Sequence, residues 1–135
     1  MTFDLMFTIQ GKPLTSTNRN KIVKMGKRYG VMKSDAAIAY QEDAVWQLVN
    51  QRNKSQHTTI TQPFAVELHI YRKKNQGDVD NYSKAIFDAM QQARIMTNDS
   101  LIYRMAVEKF VDKDDPRVEI YIRKPEAEQG TLFPL

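Results

Sequence analysis

Residues 78–99 read DVDNYSKAIFDAMQQARIMTND, and the spacing of their apolar side chains decides the local fold. Tyr82, Ala85, Ile86, Ala89, Met90 and Ala93 fall at i, i+3, i+4, i+7, i+8 and i+11, which is one continuous stripe on a helix. Asp80, Lys84 and Asp88 take the opposite side. Asp78, Asp80 and Asn81 stand at the opening of this helix, and Asn98 and Asp99 in the turn beyond it. One aspartate there would serve as an N-cap, satisfying orphan backbone donors and matching the helix dipole. Capping needs only one acid, however, and this segment holds an Asp-x-Asp pair, a lysine one turn later and a third acid past the helix. Carboxylate oxygens are the ligands that magnesium or manganese takes together with phosphate oxygens. The pattern points to metal-assisted phosphodiester chemistry, with Asp78, Asp80 and Asp99 as the ligands and Lys84 beside the reacting phosphate.

Working outward toward the N-terminus, Arg72, Lys73 and Lys74 end a run whose Phe64, Val66, Leu68 and Ile70 share a face; this predicts a strand over 64–72. Residues 3–9 alternate in the same way, a half-buried strand by period. Between these two strands, Ser34 or Asp35 can cap a helix reaching to about residue 53, with Ile38, Val45, Leu48 and Val49 inward and Trp46 at the margin. Toward the C-terminus, two more strands are expected over about 102–111 and 117–123, joined by an Asp-Asp-Pro turn at 112–116. Without strict βα alternation, the expected architecture is a small α/β (α+β) fold: a mixed, largely antiparallel sheet covered by two helices. His69 falls on the strand face opposite Leu68 and reads as a hydrogen-bonded surface residue.

The segment from Asp78 to Asp99 resembles the signature of the RusA family of Holliday-junction resolvases. The family pattern is Asp-x-Asp-Asn, then a lysine, an Ala/Phe-Asp-Ala/Leu helix, a turn and a paired Asp-Asp before a strand. Asp78 and Asp80 match the first pair, Lys84 the lysine and Asp99 the second acid of the later pair; Pro13 and the Asn18-Arg19 pair extend the likeness. Asn98 stands where the family has the first acid of its pair. Arg94 replaces a glycine that would cap the helix end, and Asn75, Gln76 and Gly77 separate the basic run from Asp78. The resemblance implies a RusA-like nuclease domain over 1–124, a homodimer, branched DNA as substrate, Mg²⁺ (or Mn²⁺) as cofactor, and hydrolytic resolution of four-way junctions. The rival from another class is a non-catalytic DNA-binding or replication-associated adaptor, in which the acids only cap.

Composition fits this picture. The 135 residues suffice for one domain with a core, and the absence of cysteine excludes disulfides, zinc-thiolate sites and thiol catalysis. The start MTFDLMFTIQ has no basic n-region and is no membrane span, so the expected location is the cytoplasm. The net charge of +4 hides an uneven distribution, because residues 12–33 contain seven cations and no acid. This window reads as a mobile basic loop tracking phosphates, with Asn18, Arg19, Lys21, Lys24, Lys27, Arg28 and Lys33 as DNA contacts, joined by Lys73 and Lys74. Residues 125–135 form a tail ending Gln129-Gly130-Thr131-Leu132-Phe133-Pro134-Leu135. Gln129, Leu132 and Phe133 are similar to the Gln-x-x-Leu-Phe peptides that dock on the bacterial sliding clamp, apolar anchors following a directional hydrogen-bonding group.

Overall fold

A computed structural model describes residues 3–13, 20–74 and 80–124. Strand β1 spans Leu5–Gln10, β2 Asn20–Met25 and β3 Arg28–Lys33. Helix α1 spans Asp35–Ser55, β4 Phe64–Arg72, α2 Asp80–Gln92, β5 Ile102–Val111 and β6 Arg117–Arg123; a 3₁₀ turn at Asp99–Leu101 precedes β5. The main sheet has the order β1-β6-β4-β5. The β1/β6 and β6/β4 pairs are antiparallel, while β4/β5 is parallel with α2 as the crossover, so the sheet is mixed and largely antiparallel as expected.

Alternation along the strands supplies one apolar face. Phe7, Ile9, Phe64, Leu68, Ile70, Val118, Ile120 and Ile122 are all almost fully buried, and the stripe from Tyr82 to Ala93 on α2 packs on them at 0–3% exposure. Burying a side chain of this size stabilises by roughly 1.5–3 kcal/mol, which is why α2 adopts the rotation its sequence spacing specifies. Lys84 is exposed and Asp88 half-buried on the outer side.

Helix α1 begins where the sequence places it, with Ser34 Oγ accepting from the Ala37 N–H at 3.1 Å. Its rotation differs from expectation. Ala37, Ala44 and Leu48 are buried, whereas Ile38 is 42% exposed. The reason lies in the partner: Gln47 and Gln51 turn toward β1 and hydrogen-bond both its N–H and C=O groups. Gln51 Oε1 accepts from Thr8 N–H at 2.8 Å and its amide donates to Thr8 O, while Gln47 does the same for Gln10. The two amides occupy the free edge of β1, which would otherwise present unpaired backbone groups, and fix α1 in a rotation that leaves Ile38 outside.

The second correction concerns residues 20–33. Instead of a mobile loop they form a two-stranded antiparallel hairpin, with Asn20 opposite Lys33 and Met25 opposite Arg28. Ile22, Val23, Tyr29 and Val31 are strand formers on either side of a Gly-Lys pair, the composition of a tight hairpin.

The end of α2 shows how the Arg94 departure is absorbed. Ile95 N–H donates to Met90 O at 3.0 Å and Arg94 N–H to Gln91 O at 3.1 Å, with Arg94 in the left-handed region at φ 60°. This is a Schellman ending, with arginine bearing strain that glycine would not. Arg94→Gly is expected to raise stability by about 0.5–1 kcal/mol; an unchanged or lowered denaturation midpoint would show that the arginine side chain compensates. The next residues are pinned by Ile60, which donates to Ile95 O and accepts from Thr97 N–H, so the turn carrying Asn98 and Asp99 is tied to the segment before β4.

On the side of the sheet away from the helices, Asp112 closes the β5–β6 turn. Its Oδ1 accepts from the Asp114 and Asp115 N–H groups, as the turn composition predicts. Arg117, 3.8 Å from the centre of the Tyr71 ring, donates to Asp112 Oδ2 at 3.1 Å, and this hydrogen bond holds the Asp112 carboxyl below its usual range.

Candidate active site

Where β1 and β4 end and α2 begins, Lys12, Pro13, Arg72, Lys73, Lys74 and Tyr82 line a cleft of about 300 Å³. Four of its six lining residues are cationic, and the first turn of a helix adds the positive end of its dipole. A phosphate group suits this cleft. The sequence reading included Lys73 and Lys74 as DNA contacts but missed Arg72, which is only 6% exposed. The signal was available: Arg72 continues the Phe64, Val66, Leu68, Ile70 alternation and so falls on the helix-bearing face, where its Nε lies 3.5 Å from Phe110 O on β5.

Asp80 is the first residue of α2, two positions before the cleft residue Tyr82, and Lys84 follows one turn later with its side chain exposed. Asp78 lies outside the described residues, as do Asn18 and Arg19. Lys21 and Lys24 fall on β2, Lys27 in the hairpin turn, and Arg28 and Lys33 on β3.

Asp99 is placed at the other end of α2. Its N–H donates to Gln91 Oε1 at 3.2 Å, and its side chain is exposed. With a rise of 1.5 Å per residue, Asp80 and Gln91 are roughly 16 Å apart along the helix. Ligands of one magnesium ion sit about 2.1 Å from it, several times less than this axial rise. Asn98, in the place of the family's first acid, caps the 3₁₀ turn: its Oδ1 accepts from Ser100 N–H at 2.8 Å. An aspartate would form the same cap, so the substitution preserves the backbone around Asp99.

A second group of candidate ligands was not anticipated. Glu67 and His69 on β4 and Glu108 on β5 bring their ligand atoms within 4.8 Å of one another on the sheet face away from the helices. His69 is hydrogen-bonded there to Glu67, which agrees with its reading as a hydrogen-bonded surface residue. Two carboxylates and an imidazole suit softer ions such as zinc, whereas Asp78, Asp80 and Asp99 are an all-oxygen set and fit magnesium or manganese.

The chain matches the family model of endodeoxyribonuclease RusA over residues 10–123. It is 29% identical to the crossover junction endodeoxyribonuclease RusA of Aquifex aeolicus, with 82% of this chain and 84% of the relative aligned. It is also 28% identical to the uncharacterized protein YqaN of Bacillus subtilis, over 91% of this chain and 98% of the relative.

Proposed function

Because the chain belongs to the RusA family, we propose that it is a divalent-metal-dependent, structure-selective endonuclease that resolves Holliday junctions in DNA recombination and repair. The observation that supports this reading best is the cationic cleft at the start of α2, a phosphate-sized anion site on the helix that carries Asp80 and Lys84. Asp78, Asp80 and Asp99 would hold Mg²⁺ or Mn²⁺, which when bound lowers the pKa of water and neutralises charge on the phosphate. Lys12, Lys73 and Lys74 would hold phosphates flanking the cut. Arg72, fixed by burial, would set the position of one of them. Lys84 projects from α2 one turn after Asp80 and can place its ammonium group against the phosphate under attack.

The rise of roughly 16 Å from Asp80 to Gln91 gives the homodimer a specific role. One ion would be within reach of both Asp80 and Asp99 if the two came from different copies. A second copy also has a surface to cover, since β5 leaves Met105 and Val111 about half exposed on the helix-bearing side of the sheet. A two-fold dimer would then contain two equivalent composite sites, matching the two equivalent strands of a four-way junction. Mixing Asp80→Asn with Asp99→Asn, each inactive alone, is expected to restore nicking, because one site of each mixed dimer has both aspartates. Mixtures as inactive as their components would place the whole ligand set within one chain.

Cleavage of a synthetic four-way junction, with and without Mg²⁺, tests the reading itself. Binding without cleavage under any divalent ion would favour the adaptor alternative. Among the described residues no helix is long and apolar enough to cross a membrane. Gln129, Leu132 and Phe133, expected to contact the sliding clamp, lie outside both the described residues and the span matched by the family model.

A further inference from the structure

The β2–β3 hairpin forms a sheet of its own, separate from the four-stranded one, and a two-stranded ribbon is marginally stable in water by itself. Its tip is built for a defined shape. Met25 and Arg28 pair across a two-residue loop in which Gly26 has φ 66°, the first central position of a type II′ turn. A Cβ on Gly26 would meet nothing within 4 Å, so glycine is required there for its dihedral angle and not for space. One residue pair further from the loop, Lys24 is directly opposite Tyr29. Their Cβ atoms are therefore about 5 Å apart on one face of the ribbon. Tyr29 is 73% exposed, more than any other large exposed apolar side chain among the described residues. Lys24, Lys27 and Arg28 around it are exposed as well, and no acid occurs between Lys12 and Lys33.

We propose that this tip reads the branch point of the DNA: Tyr29 stacks on an unstacked base while Lys24, Lys27 and Arg28 hold the neighbouring phosphates. The inference rests on the junction-resolving reading above and adds a residue that senses structure. The charge selects a polyanion over an apolar or basic protein partner. The aromatic ring selects where on that polyanion it binds, because a continuous duplex offers base edges, and base faces become available only where stacking is interrupted. A lysine and a tyrosine about 5 Å apart can engage the phosphate and the base of the same nucleotide, the combination by which single-stranded segments are held.

The test uses the full-length protein without added divalent metal, a synthetic four-way junction with 2-aminopurine at the branch, and a linear duplex carrying the same base. Tyr29→Ala is expected to weaken junction binding by about 5- to 150-fold, the span that one base–aromatic stack carries, and to leave duplex binding unchanged. The change in 2-aminopurine emission on binding should persist with Tyr29→Phe and Tyr29→Trp and vanish with Tyr29→Ala. Equal weakening on junction and duplex, or no weakening on either, would overturn the inference, as would a loss of dimer mass in the Tyr29→Ala variant, which would make Tyr29 a contact between copies. Failure of the unsubstituted protein to bind the junction would overturn the proposed function and this inference with it; junction binding that Tyr29→Ala leaves intact overturns the inference alone.

Discussion

Replacing Asp78, Asp80 or Asp99 by asparagine is expected to slow junction cleavage by at least about 10³-fold, while junction affinity stays equal or rises. Each change keeps the side-chain shape and removes one metal-ligating charge; a metal ion supplies several kcal/mol of charge stabilisation, and each 1.36 kcal/mol is a factor of ten in rate. Affinity follows a different set of groups, since the cleft cations and the hairpin cations are untouched and one negative charge facing the phosphates is gone. The two quantities should therefore separate in a single titration followed by a cleavage time course. Asp99 is the sharpest case, because its exposed position at the far end of α2 gives it no packing role to lose. Wild-type cutting by any of the three variants in magnesium would remove that residue from the ligand set.

Lys84→Ala should slow cleavage by about 10²–10³-fold, the cost of deleting one preorganised group aimed at transition-state charge. Lys84 sits on the outer side of α2, off the stripe from Tyr82 to Ala93 that binds the helix to the sheet, so the truncation should leave the fold unchanged. Ground-state binding is already supplied by several cations, and losing one exposed lysine among them should change affinity only a few-fold. Single-turnover cleavage at saturating enzyme isolates the chemical step from binding. A wild-type rate there, accompanied by weaker affinity, would reduce Lys84 to an ordinary phosphate contact.

Much of this is legible in the sequence because the governing interactions are local. The i, i+3, i+4 spacing from Tyr82 to Ala93 determines which side of α2 is buried, the period-two pattern from Phe64 to Ile70 determines a face of β4, and the Asp-Asp-Pro composition determines the β5–β6 turn. The cations near the site were legible as composition, but their arrangement was not. Arg72 joins Lys12 in one cleft only because β1 and β4 end close together, although 60 positions separate the two residues in sequence.

The sequence by itself determined the family and the elements that carry Asp80 and Asp99, since each of these is encoded within about twenty consecutive residues. Tertiary structure alone decided where those elements meet. The rotation of α1 follows the free edge of β1, whose N–H groups donate to Gln47 and Gln51 and whose carbonyls accept from them, leaving Ile38 outward, a partner invisible in the helix's own periodicity. The placement of Asp80 and Asp99 toward opposite ends of α2 is a consequence of helix length: closeness in the motif is not closeness in space when twelve of the residues between rise along one axis.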